Sequence, residues 1–486
     1  MPTSTTPSSS DGELRIDIEK QESRDATRQG QSQAQGEAAS KDEEDDQWEI
    51  EPEYDTNAGG AVGALNRVLS RISTNASRNP GPPPDGGRTA WIMCFCGHLA
   101  VTNTWGFINS FGVFQSYYAE LLDRPPSDIS WIGSITVFLT FFIGAFTGRL
   151  VDAGFLRPIL FIGTAFLALG IFTTSAATQY WQLLLAQGLT IGLGCGFLFC
   201  AAITTVANYF STKRSFALGL SASGTVTGGL IYPAMARQLL PTIGFGWTIR
   251  AMGLVMVVTM VFVLAFMRSR IPPRRSGSLV ELSAFRELEY TLYAVGMFFN
   301  FWGVYLPVYY LGAYSRDPAF VHPSLSYVNS LNLILILNGV SIFGRLLPNH
   351  LADRYGPLNM LTPFAMFGGI TILAWMVVDT PTKIYVWAAF YGITAGGIQS
   401  LFPAGLSSLT TNPQKQGTRI GMVFTIVSFA TLTGNPIAGA IIAADGGRYN
   451  GAQGFAGASL LLGASLLFGA RLVRMRRTGA GLGVKI

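Results

Sequence analysis

Apolar runs of helix-spanning length recur along the chain from residue 90 to residue 472. Twelve are predicted, near 90–117, 129–149, 158–177, 181–207, 215–239, 246–267, 288–312, 327–351, 358–378, 384–406, 418–443 and 451–472. At about 1.5 Å per residue, each is long enough to cross the ~30 Å bilayer core as a helix. Barrel strands would be shorter and would alternate in polarity. The pattern therefore predicts an all-α membrane protein. Gly188, Gly192 and Gly196, and likewise Gly219, Ser223 and Thr227, recur every four residues and let helices approach closely.

Residues 1–87 read differently. They are rich in Ser, Gln, Glu, Asp, Gly and Pro, and residues 1–84 carry 16 acidic and 8 basic side chains. Such a segment buries too little apolar surface to fold, so a disordered acidic tail is expected. It opens polar, unlike a secretory signal. One piece, Ala61–Ile72, has the spacing of a weak amphipathic helix. The tail is either a solvated extension or a regulatory or trafficking segment, with cytosolic regulators as its partners.

The remainder holds 12 acidic and 25 basic residues. In a soluble protein that excess suggests nucleic acid. Here the basic residues gather in alternate loops, among them Arg149, Arg157, Lys213, Arg214, Arg354 and Lys415, with Arg474, Arg476 and Arg477 at the end. Membrane orientation explains this better, and it places both termini in the cytosol. No nucleic-acid partner is expected; lipids surround the bundle. The basic linker 268–287 divides six-helix bundles at 88–267 and 288–472, and 473–486 forms a basic cytosolic tail. The plasma membrane is the expected location, a vacuolar or other internal membrane the alternative. On this orientation the sequon at Asn75 stays unglycosylated.

One cation departs from the loop pattern. Arg345 lies inside the eighth apolar run, with Asn338 and Ser341 seven and four positions earlier on the same helix face. A cation at that depth is costly unless it faces protein or a water-filled cavity. It reads as the partner of a small anion. The plainer alternative is an arginine reaching the interface or pairing with a neighbouring helix. Acidic residues stand only at span ends and in loops, so His98 is the candidate for proton coupling. The alternative is a neutral histidine bonded to a neighbouring helix. The four cysteines lie in apolar runs and read as reduced, packed thiols. No catalytic constellation, metal spacing or phosphate loop is present, so neither enzyme activity nor a cofactor is expected.

An internal repeat links the halves. Gly148-Arg149-Leu150-Val151-Asp152 follows the second run; Gly344-Arg345 and then Leu351-Ala352-Asp353-Arg354-Tyr355-Gly356 follow the eighth. Repeated halves around a midplane site describe a secondary transporter. With these motifs the sequence resembles the major facilitator superfamily, whose loops read roughly G-x-L-A-D-R-x-G. The first copy has Ala153 where arginine is expected, with Arg157 nearby. More narrowly it resembles the fungal branch of the monocarboxylate porter family. This rests on Pro84-Asp85-Gly86-Gly87 with Trp91, on Tyr209 to Gly224, on Ser341 to Arg345, and on Gly421-Met422 with Gly434 to Ala440. The resemblance implies the major facilitator fold and a cavity lined by the first, fourth, seventh and tenth helices. Animal members carry a lysine where Asn109 stands and an aspartate where Ser341 stands.

The expectation is a secondary active or facilitative carrier working by alternating access. Its substrate would be an organic anion or amphipathic metabolite, such as a carboxylate-bearing fungal secondary metabolite. Arg345, Asn338, Asn109, Asn300, Tyr305 and Gln399 are the candidate substrate residues. Gly148, Asp152, Arg157, Lys213, Arg214, Gly344, Asp353, Arg354 and Gly356 are the candidate conformational motif. Proton-linked uptake of a short monocarboxylate or vitamin-like nutrient, or a non-transporting nutrient sensor, are the alternatives.

Overall fold

Local chemistry sets where the helices start. Ser326 and Thr380 each accept a hydrogen bond from the backbone N–H three residues on, opening helices Tyr327–Tyr355 and Pro381–Leu409. Gly356, at φ 100°, ends the first of these, and Pro357 begins Pro357–Ala374. Asp85 receives N–H groups from Ser211 and Thr212 and the Ser211 hydroxyl, which ties the entry of helix Gly87–Val101 to another loop. Partial burial opposes its charge, but these hydrogen bonds outweigh it and hold the carboxyl below the usual aspartate range.

The computed structural model describes residues 82–122, 126–273, 281–410 and 412–479. The expected tail up to residue 81, its segment Ala61–Ile72 and the sequon at Asn75 lie outside the described residues, as do residues 274–280 of the linker and residues 480–486. The described part is all-helical. It contains nine helical stretches long and apolar enough to cross a membrane. Their lipid-compatible faces expose side chains such as Phe161, Val258 and Phe367.

Several helices are interrupted. A π-helical turn, Thr102–Gly106, follows Gly87–Val101, and another, Leu184–Ile191, precedes Gly192–Tyr209. The Thr102, Thr104 and Ser110 hydroxyls return to carbonyls four residues back, a bonding that bends helices. Helix Leu288–Gly303 stops before Leu306–Arg316, leaving Val304 and Tyr305 at the break. The stretch Gly224–Phe266 folds back at Gly244, whose φ of 74° and ψ of 172° suit glycine.

Small residues bring the helices together. Gly192 and Gly196 pack on Leu139, joining Gly192–Tyr209 to Pro126–Phe142. All four cysteines are free and buried. Helices before the linker pack chiefly on one another, as do those after it. The two sets meet mainly where Pro126–Phe142 and Gly144–Asp152 lie against Gln416–Ala444, and where Arg214–Ala222 and Gly224–Phe266 lie against Tyr327–Tyr355.

Candidate functional site

Three glycines decide what meets Arg345. A Cβ at Gly344 would lie 1.9 Å from the Ile393 carbonyl oxygen, one at Gly392 2.4 Å from that of Leu337, and one at Gly396 2.6 Å from that of Ser341. Helices Tyr327–Tyr355 and Pro381–Leu409 therefore touch backbone to backbone. This places Gln399 beside Arg345, whose Nη2 donates to Gln399 Oε1 at 2.8 Å. Arg345 is buried, and its Nε has no hydrogen-bond partner. Among the described residues no carboxylate pairs with it. A buried, unneutralised guanidinium costs several kcal/mol, and an anion from outside would offset that cost.

The cavity beside Arg345 is rich in aromatic rings. Trp105, Phe141, Phe199, Phe301, Tyr305 and Phe402 line it, from both helix sets. Trp105 touches Phe141 at 5.0 Å and Phe199 at 5.6 Å between ring centroids. Trp105 and Tyr305 stack with rings 6.2 Å apart and 2° from parallel. The indole Nε1 of Trp105 is buried and unpaired. Two donors, Arg345 Nε and Trp105 Nε1, thus lack acceptors. Buried donors without partners are expensive, so both are available to an acceptor brought into the cavity.

Of the six candidate substrate residues, Arg345, Tyr305 and Gln399 line this cavity. The other three stand apart from it. Asn300 donates to the Gly296 carbonyl and packs against Gly463, because helix Leu288–Gly303 turns that face toward Asn450–Thr478. Asn109 ends the short helix Phe107–Asn109 and faces Gly229. The carbonyl of Asn338 accepts from the Ser341 hydroxyl within their own helix. Sequence spacing missed Phe141, Phe199, Phe301 and Phe402, since phenylalanines in apolar spans look alike whether they face lipid, core or cavity.

His98 bonds to one neighbouring stretch. Its Nδ1 lies 3.0 Å from the Leu220 carbonyl and 3.2 Å from Ser223 Oγ, and its Nε2 lies 3.1 Å from Thr227 Oγ1. It does not line the Arg345 cavity.

The repeated motifs meet helix starts on the face that carries residues 82 and 479. Asp152 accepts from Gly417 N at 3.0 Å and from Thr418 N and Oγ1 at 2.7 Å. Asp353 accepts from Ser215 N at 2.7 Å and Phe216 N at 2.9 Å. Each carboxylate sits on the N-terminus of a helix from the other set, where N–H groups and the helix dipole favour an anion. Gly148 allows the first contact, since a Cβ there would lie 1.9 Å from the Gly417 carbonyl oxygen. Arg214 donates to Ser407 across the same junction and lies in the field of Asp85 and Asp353. Lys213, Arg157 and Arg354 are exposed. Arg157, near Asp152 in the chain, is exposed at the start of helix Leu156–Thr174.

Glu281 and Glu287 clamp the start of helix Gln416–Ala444 nearby. Arg419 reaches Glu281 Oε2 at 3.3 Å and Glu287 Oε1 at 2.6 Å, and Lys415 reaches Glu281 Oε1 at 3.0 Å. Burial would raise the Glu281 pKa, but Lys415 and Arg419 outweigh it and lower it.

Membrane-spanning helices, a buried cavity between two helix sets and a sealed face below it define a multi-pass membrane transporter. The Major Facilitator Superfamily profile matches residues 91–412. An "MFS-type transporter" of Gibberella zeae is 56% identical over 80% of this chain and 88% of its own. The "Aspyridones efflux protein apdF" of Emericella nidulans is 34% identical over 82% of this chain and 81% of its own. Among solved structures, the human organic anion transporter MFSD10 (TETRAN) covers 79% of this chain with its whole length, at TM-score 0.62 and 16% identity. The outward conformation of FucP covers 79% of this chain and 99% of its own, at TM-score 0.62 and 14% identity. The chain belongs to the Major Facilitator Superfamily, among its fungal MFS-type transporters.

Proposed function

We propose that this transporter exports a flat, negatively charged organic metabolite by alternating access, with Arg345 as the partner of its anionic group. The observation that carries the reading is the buried Arg345 Nε, unpaired in a cavity that six aromatic rings help to line. Such a wall favours conjugated molecules over lactate-sized acids. The relative named for aspyridones efflux supports outward transport of a fungal metabolite. The match to Tyr209–Gly224 and to Ser341–Arg345 supports placing the chain in the fungal branch of the monocarboxylate porters.

The architecture proposed is twelve spans in two six-helix halves. The nine long apolar stretches supply most of them. Gly87 to Leu122 and Pro381–Leu409 add two, and the fold-back at Gly244 divides one long stretch into two. The face carrying residues 82 and 479 is the cytosolic one, as the basic loops require, and the membrane is the plasma membrane. Asp152 and Asp353 hold that face shut while the site opens to the other side. Their release admits substrate to Arg345 from the cytosol.

Deletion of the gene tests the reading, with metabolites compared inside and outside the cells. Export predicts one compound lost from the medium and accumulated inside, restored by the natural chain and not by Arg345→Gln. A compound left in the medium and depleted inside would overturn it.

A further inference from the structure

The two repeated carboxylates differ in what stands four residues before them. Before Asp152 it is Gly148, which brings no side chain to its junction. Before Asp353 it is Asn349, which carries a carboxamide. Asn349 is fully buried. Its Nδ2 donates to the Arg345 carbonyl oxygen and to Ser400 Oγ, both at 2.7 Å. A carbonyl oxygen only accepts, so the amide cannot be turned round. Both N–H groups are used, and Oδ1 is left buried without a partner. A glycine here would leave no such atom, and a buried acceptor without a donor is costly.

One helix covers this residue. Arg345, Asn349 and Asp353 are spaced four apart and share one face of Tyr327–Tyr355. Helix Arg214–Ala222 lies along that face. Its Ser215 and Phe216 N–H groups hold Asp353, Gly219 sits against Asn349, and Ala222 lines the Arg345 cavity. A Cβ at Gly219 would lie 2.5 Å from the Arg345 carbonyl oxygen and 2.8 Å from Asn349 Cγ. The covering helix belongs to the set before the linker, and the covered face to the set after it.

We propose that Asn349 is a specificity-determining residue for loading from the cytosol, its Oδ1 accepting a hydrogen bond from a hydroxyl or N–H group of the substrate. The inference rests on the reading that Arg345 binds the substrate anion. Release of Asp353 lifts Arg214–Ala222 off the row and uncovers Asn349 about one turn, roughly 6 Å, before Arg345. The substrate class narrows to flat anions that also carry a hydrogen-bond donor. A molecule with only acceptors on that side would shut water away from Oδ1 without replacing the bond, and would bind less tightly.

Two planar probes test this. 4-Hydroxybenzoate carries a donor opposite its carboxylate, and 4-methoxybenzoate replaces that donor by an acceptor. Binding of each, radiolabelled, is measured to the full chain in inside-out membrane vesicles, which present the cytosolic face. Both probes meet the same conformational equilibrium, so the ratio of their affinities reports the site. The natural chain should bind 4-hydroxybenzoate about tenfold more tightly. Asn349→Leu, of similar size and without polar side-chain atoms, should bring the two within about twofold by weakening 4-hydroxybenzoate alone. Asn349→Gly, which copies Gly148, should do the same and serves if leucine is not accommodated. Equal binding of the two probes by the natural chain, or a preference that survives both substitutions, would overturn the inference. Equal loss of both probes in both variants would make Asn349 a packing residue and overturn it too. In each of these cases, binding by the natural chain that Arg345→Gln abolishes leaves the Arg345 reading standing. Binding of neither probe to the natural chain, or binding unchanged by Arg345→Gln, would count against Arg345 as the anion partner, and the inference would fall with it.

Discussion

Arg345 and Gln399 are joined by a single 2.8 Å hydrogen bond, from guanidinium Nη2 to amide Oε1, that leaves Arg345 Nε unpaired. The amide stands in, partially, for an anion. A carboxylate can take two parallel N–H groups of a guanidinium, which an amide oxygen cannot.

Removing the charge should therefore stop transport without unfolding the protein. Arg345→Gln is expected to lower export more than about tenfold at unchanged membrane delivery, and Arg345→Lys to stay well below the natural rate because it loses the planar fork. Metabolite efflux measured beside surface abundance checks this, and natural efflux in Arg345→Gln would sink the assignment.

The sealed face should loosen when its carboxylates are neutralised. Asp152→Asn and Asp353→Asn keep the shape but lose the charged cap, worth about 1–2 kcal/mol in partly buried geometry. Each should raise thiol labelling of a Ser407→Cys variant, since Ser407 lies under Arg214 at this junction. About five- to thirtyfold is the range that energy implies.

Two glycines offer a contrast. Gly148→Ala pushes a methyl group into the Gly417 carbonyl, between the helix sets. It should favour separation of the sealed face and raise Ser407→Cys labelling, with little loss of melting temperature. Gly344→Ala pushes into the Ile393 carbonyl, within one set. It has no such escape, and should lower the melting temperature by overpacking, at a cost of about 1–3 kcal/mol.

Acid should weaken the clamp around Arg419. The Glu281 carboxyl is lowered in the folded protein, so its stabilisation is present above the unfolded value of about 4.3 and is lost as pH falls through the folded one. The melting temperature in detergent should drop on acidification below about pH 4, and Glu281→Gln should drop less over that window while starting lower at neutral pH. Identical acid slopes would remove Glu281 from the account.

Arg345 was readable in the sequence because a cation inside an apolar run violates the solvent it sits in. Asp152 and Asp353 were readable because they repeat after corresponding runs. Gln399 was readable only as one polar residue among several, since what selects it over Asn300 is which helix face turns inward. Gly392 and Gly396 settle that by letting Pro381–Leu409 lie directly on the Arg345 helix.

Hydrophobic length and periodicity alone determined that this chain is a bundle of membrane helices, because lipid leaves the backbone no other way to satisfy its N–H and C=O groups. The position of the unusual charge and the repeated carboxylates came with it. The tertiary structure decided the partners. Asp152 rests on the start of Gln416–Ala444, Trp105 faces Tyr305, and Phe141, Phe199, Phe301 and Phe402 wall a cavity. These pairings join residues far apart in the chain through helix rotation, π turns and close glycine contacts. A one-dimensional pattern of apolar residues does not encode them, because every face of a membrane helix, toward lipid or protein, is written in the same side chains.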